Sequence, residues 1–177
     1  RAAAAGVRML IVPVDIATEF PRKWADTSTF IAWFEDTLSQ ARAAYTKLAE
    51  ADLCVPCDLP AEYLFEHTYF VVGAHPYSAP DYNQEAEQRL FELLEHPLCV
   101  GVGEIGLDFG PYCEVPEEVQ CQAFECQLLI AHEHNQRVEL HLRDGADNTH
   151  AHDLAFEILN RLGVPKAGCD LHCYTDG

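Results

Sequence analysis

An α/β fold with a parallel sheet is predicted by three observations on this 177-residue chain. Short β-branched and apolar runs alternate with longer segments whose apolar residues recur at helical spacing. The short runs read as near-continuously apolar, as strands do when both faces are covered. The polar residues that interrupt them, His75, Glu104, His141 and His172, fall at C-terminal strand ends, where (β/α)8 barrels place their chemistry. An open doubly wound sheet also fits the alternation. No Gly-x-Gly-x-x-Gly leads from a strand into a helix, which argues against a dinucleotide fold.

Arg8 to Val14 reads as the first strand, after a Gly6 that can close a preceding helix. Asp26, Thr27 and Ser28 offer an N-cap, and Phe30, Phe34, Leu38, Ala41, Tyr45 and Leu48 continue a helix to about Glu50. Cys54 to Pro60 reads as a loop and Tyr69 to Ala74 as the second strand. Ala79-Pro80-Asp81 begins a helix with Ala86, Leu90, Leu93 and Leu94 on its apolar face, stopping before Pro97. Leu98 to Ile105 is the third strand. Val115-Pro116-Glu117-Glu118 opens a helix that runs to about Asn135. Arg137 to Leu142 is the fourth strand. Asp147, Asn148 and Thr149 can cap a helix that ends at Gly163, and Gly168 to Cys173 is the fifth strand.

The length suits one domain over residues 1–177, and 49% hydrophobic content argues against disorder. The first residues do not form a signal-peptide pattern and no apolar run reaches membrane-spanning length, so the expected location is cytoplasmic and no membrane partner is expected. A net charge of −18 counts against broad electrostatic coating of DNA, though not against a local grip on a strand end through a divalent cation. The eight cysteines read as free thiols in a reducing compartment. Cys99, Cys169 and Cys173 fall in strands that read as buried. Cys121 and Cys126 point to different helix faces, and Cys54-Val55-Pro56-Cys57 lacks a second pair to hold zinc.

Val100-Gly101-Val102-Gly103-Glu104-Ile105-Gly106-Leu107-Asp108 carries the strongest signal. A carboxylate among apolar residues needs a cation to offset its desolvation, and the flanking glycines let a metal or backbone approach. Val138-Glu139-Leu140-His141-Leu142-Arg143 and Gly168-Cys169-Asp170-Leu171-His172-Cys173 each add a histidine near a strand end. Glu104, His141 and His172 are therefore the expected metal ligands and catalytic residues. The alternatives are a helix-capping carboxylate and satisfied core histidines.

Gly103-Glu104-Ile105-Gly106-Leu107-Asp108, Leu140-His141-Leu142-Arg143, His172-Cys173-Tyr174-Thr175 and Gly73-Ala74-His75-Pro76 together resemble the TatD family of metal-dependent deoxyribonucleases. The resemblance runs from about Gly6 to the end. It implies a TIM-type (β/α)8 barrel, present here as about strands 2 to 6. The family's opening His-x-His and late Asp ligand are not matched, so the chain is expected to be truncated at both ends.

The resemblance also implies a site with divalent ions, two when intact, of Mg, Mn or Zn, and DNA as substrate, cut exonucleolytically at single-stranded ends. His75, Asp108 and Arg143 are expected to bind substrate: Arg143 through its fork of donors, Asp108 from a loop beyond the strand. Tyr77, Phe109, Tyr112 and Tyr174 could stack on bases or simply pack loops. His150-Ala151-His152 is a decoy, because residues two apart on a helix point apart. His132 and His134 read as solvated. No obligate protein partner is evident. The alternative functions are an ester, amide or lactone hydrolase on the same scaffold and a catalytically incompetent fragment.

Overall fold

The structure, a computed structural model, describes residues 1–146 and 148–172. Its strands are β1 (Leu10–Asp15), β2 (Thr68–Gly73), β3 (Cys99–Asp108), β4 (Val138–Arg143) and β5 (Cys169–His172). Its helices are α1 (Phe20–Lys23), α2 (Thr27–Glu50), α3 (Glu62–Glu66), α4 (Gln84–Leu94), α5 (Glu117–Glu133) and α6 (His150–Leu162). The strands lie in the order β1-β2-β3-β4-β5, and β2–β3, β3–β4 and β4–β5 are parallel.

The chain divides into two compact units. One comprises Arg1–Val12 with Trp24–Tyr69. Here the Asp26 carboxylate caps α2 by accepting from Thr29 N at 2.7 Å. Phe30 and Phe34 are buried on that helix, while Trp33 stays partly exposed. Ala3, Ala61, Leu64 and Phe65 form a small cluster against Tyr45. The residues leading to Gly6 form turns rather than a helix, and α3 is a short element that the sequence did not announce.

The second unit comprises Pro13–Lys23 with the described residues from Phe70 onward. Phe70 and Val72 on β2, Ile105 and Leu107 on β3 and Leu140 on β4 are inaccessible, as are Leu90 of α4 and Leu128 of α5. Each such side chain contributes about 1.5–3 kcal/mol of burial free energy. Two elements differ from expectation. Pro76–Asp81 is a 3-10 turn, and α4 starts after it because the Asn83 carboxamide oxygen accepts from Glu85 N and Ala86 N. β3 runs on to Asp108, so Glu104 lies within the strand and Asp108 is its last residue, not part of a loop.

The expected cap of α6 also differs. Asp147 lies outside the described residues. The Thr149 side chain makes no capping bond, whereas the Asp144 carboxylate accepts from Ala151 N at 2.7 Å and His152 N at 3.3 Å. Both edge strands are more open than their apolar sequence suggested. Leu10 and Ile11 are exposed on β1, as is Cys169 on β5; Cys173 lies outside the described residues. The cysteines among the described residues are free. No helix among the described residues is long and apolar enough to cross a membrane.

Candidate metal centre

The site lies wholly within the second unit. Its frame is the β3–β4–β5 register, in which Gly106 faces His141 and His141 faces His172. Between Val102↔Val138 and Ile105↔Leu140, β3 takes three steps where β4 takes two. Such a bulge re-aims a side chain, and Glu104 sits within it. Gly106 has φ +140°, and a Cβ there would lie 2.2 Å from the His141 carbonyl oxygen, so only glycine allows this approach. Gly103 works differently: a Cβ there would lie 2.6 Å from the Glu139 Cβ, and its absence leaves room for that side chain.

Glu104 is common to two groups of possible ligands, His75–Glu104–His141 and Glu104–Glu139–His172. Within each group the donor atoms lie within 4.8 Å of one another. Glu104 thus lies beside His141 in one group and beside His172 in the other, and His75 joins the first from beyond β2. The sequence reading passed over Glu139. The available signal was strand alternation, which puts Glu139 and His141 on one face of β4.

Each histidine is oriented by neighbours. His141 Nε2 lies 3.0 Å from Asp108 Oδ2, which leaves Nδ1 as the nitrogen available to a ligand. His172 Nε2 lies 3.1 Å from Glu104 Oε1, and its Nδ1 lies 3.0 Å from Glu139 Oε1. His75 Nδ1 accepts from Tyr77 N at 3.2 Å, so the neutral ring carries its proton on Nε2. Asp15 fixes His75 from behind. Its Oδ2 accepts from His75 N at 3.2 Å, while Oδ1 takes Ala17 N and Thr18 N at the start of the next turn.

Burial, and then the neighbouring His141, hold His75 down at about 4, so it is neutral at pH 7. Burial pushes Asp108 up, but the Gly110 N–H, His141 and Arg143 outweigh it and hold the carboxyl below its usual range. Burial and then the Glu104 charge push Glu139 up. Arg143 is half exposed and 3.6 Å from Asp108 Oδ2. A cavity of about 350 Å³ opens beside Glu104 and His75, bordered by Asp15 and Tyr77.

The other candidates separate from this cluster. His150 pairs with Glu117 at 2.7 Å and His152 with Asp144 at 2.5 Å, so neither joins a shared site. His132 is not simply solvated, since its Nε2 lies 3.0 Å from the Gly163 carbonyl. Phe109 stacks on His150, with centroids 5.0 Å apart, while Tyr77 and Tyr112 are exposed. Tyr174 lies outside the described residues.

Partly buried carboxylates and imidazoles converging on neighbouring strands of a parallel sheet define an α/β protein with a candidate divalent-cation centre. The comparisons name the family. The TatD related DNase family profile matches residues 56–177, and the chain belongs to that family. It is 35% identical over 111 residues to the 3'-5' ssDNA/RNA exonuclease TatD of Escherichia fergusonii, covering 63% of this chain and 40% of that protein. It is 31% identical over 103 residues to the human 3'-5' RNA nuclease TATDN2, covering 58% of this chain and 13% of that one. Among solved structures, the TatD homolog YJJV of Escherichia coli aligns with TM-score 0.59 and 25% identity, over 97% of this chain and 50% of that chain. The fold is therefore part of a TatD-type barrel. The chain spans about 40% of the length of the bacterial curated relatives it matches.

The donor set fits a divalent cation. Oxygen and imidazole ligands suit Zn or Mn, and carboxylates also suit Mg. The two carboxylates of the Glu104–Glu139 pair lie close together in a partly desolvated place that a cation would relieve.

Proposed function

We propose that this chain belongs to a metal-dependent nuclease that removes nucleotides from single-stranded ends of DNA. One observation carries the reading: Glu104 lies with His141 in one group of possible ligands and with His172 in the other, so one carboxylate would serve both histidines in holding divalent cations. Glu104, His141 and His172 are the residues that would hold Mg, Mn or Zn. When bound, such ions supply Lewis-acid stabilisation of charge on a phosphoryl oxygen and activation of water.

The remaining work falls to the chain. Asp108 holds His141 by Nε2 and keeps its other nitrogen turned toward the site. Neutral His75 presents an Nε2–H, a donor suited to a phosphate oxygen, which supports a substrate-binding role. Arg143, half exposed beside Asp108, can reach a phosphate with its guanidinium fork. The names of the relatives, exonucleases on ssDNA and RNA, support attack on ends and leave RNA as a second substrate class to be tested.

The test follows 5'-labelled single-stranded DNA and RNA with Mg, Mn or Zn, and with EDTA. Stepwise shortening from the 3' end that EDTA abolishes is expected. Cleavage that persists in EDTA overturns the reading, as does turnover of ester or amide substrates alone.

A further inference from the structure

Glu139 stands in the second group of possible ligands, and its surroundings point to a different part. It faces the site because alternation along β4 places it on the His141 side, and because Gly103 leaves room for it. It opposes Asp170 in the β4–β5 register, two residues before His172 on the neighbouring strand. Its Oε1 lies 3.0 Å from His172 Nδ1, while His172 Nε2 lies 3.1 Å from Glu104 Oε1.

We propose that Glu139 is a positioning residue that fixes His172 by Nδ1, so that Nε2 is the nitrogen offered to a cation shared with Glu104. The inference rests on the metal-centre reading. The two nitrogens of an imidazole point away from each other, so a Glu139 oxygen on Nδ1 would leave Nε2 able to hold a cation with Glu104. An anionic acceptor on the distal nitrogen fixes the tautomer and ring orientation and raises ligand basicity. Asp108 does the same for His141 through the opposite nitrogen, Nε2. His141 would thus be held by Nε2 and His172 by Nδ1, with His172 Nε2 standing 3.1 Å from Glu104 Oε1.

The experiment measures Zn or Mn binding by calorimetry in the unsubstituted chain, Glu139→Leu and Glu139→Gln. Long-range ¹H–¹⁵N spectra of His172 are recorded in the Zn-loaded protein. Glu139→Leu is expected to weaken the affinity about 10- to 100-fold with the number of ions unchanged. The spectrum of the unsubstituted protein should show Nδ1–H with Nε2 ligated. Glu139→Gln keeps an acceptor oxygen without the charge and should restore the tautomer and most of the affinity, which also serves if the leucine variant does not fold. Loss of one ion per chain that glutamine does not restore makes Glu139 a ligand and overturns the proposal. Equal affinity and an unchanged tautomer in all three proteins also overturn it. No ion bound by the unsubstituted chain sinks the metal reading and this inference with it.

Discussion

Asp108 and Gln120 close a double hydrogen bond: Asp108 N donates to Gln120 Oε1 at 2.8 Å, and Gln120 Nε2 donates back to Asp108 O at 3.0 Å. One side chain of α5 thereby satisfies both backbone groups at the end of β3. Two turns further along, Gln127 does the same for Ala74, accepting from its N at 2.7 Å and donating to its O at 3.2 Å. Both glutamines are fully buried. The backbone they hold carries Asp108 itself and immediately precedes His75.

Gln120→Leu and Gln127→Leu should each cost about 1–3 kcal/mol, because the substitution strands buried backbone N–H and C=O groups. Urea melts by circular dichroism measure this. A midpoint equal to that of the unsubstituted chain in both variants would show that the clamps are dispensable.

Glu104→Gln keeps the shape of the side chain and removes its charge. Because this carboxylate serves both ligand groups, bound metal and nuclease turnover should fall together, turnover by orders of magnitude, with the thermal transition retained. Metal analysis and a labelled-oligonucleotide assay on the same preparation check it. Near-normal turnover with metal still bound would remove Glu104 from the mechanism.

Gly106→Ala should damage the site through the backbone. The residue has φ +140°, and its new methyl would meet the His141 carbonyl. Strain of this kind costs about 1–3 kcal/mol before the clash is counted, so β3 and β4 must separate at His141. Reduced stability together with weakened metal binding is expected from melts and calorimetry. Full metal affinity in a stable variant would contradict the close approach.

Burial pushes the thiols of Cys99 and Cys121 up to about 11. The reactive thiolate is therefore present only to about one part in a thousand at pH 8. Both should resist iodoacetamide at that pH, while exposed Cys57 alkylates, and labelling of the two should rise as the pH approaches 11. Mass spectrometry of peptides from the native protein reads the order. Rapid labelling of Cys99 at pH 8 would show that its surroundings are open.

Alternation of strand and helix, the Glu104 segment and the strand histidines were legible because period and local polarity encode them. Elements fixed by side chain–backbone bonds were not. Asn83 starts α4 after a proline-bearing 3-10 turn that resembled a helix start. Asp144, eight residues from His152 in sequence, supplies a bond to the first turn of α6. Gln120 and Gln127 looked like ordinary polar helix positions, since burial of an amide is decided by the backbone it meets. Glu139 was hidden because its significance depends on His172, which only the β4–β5 register brings beside it.

The last prediction concerns the edges of the sheet. β1 and β5 stand at the two ends of the strand order, and an edge offers unpaired backbone groups to another chain. β1 adds apolar side chains to that edge: Leu10 and Ile11 are 40% and 47% exposed, with Met9 beside them at 52%. Residues 1–177 expressed alone should therefore self-associate as concentration rises. Light scattering coupled to size exclusion, from micromolar to sub-millimolar protein, follows it. Met9→Lys with Ile11→Lys places charge on the exposed edge and should shift the protein toward monomer, with little loss of stability because both positions already face solvent. A monomer at every concentration, or association unaffected by the two lysines, would show that the β1 edge is not the sticky surface.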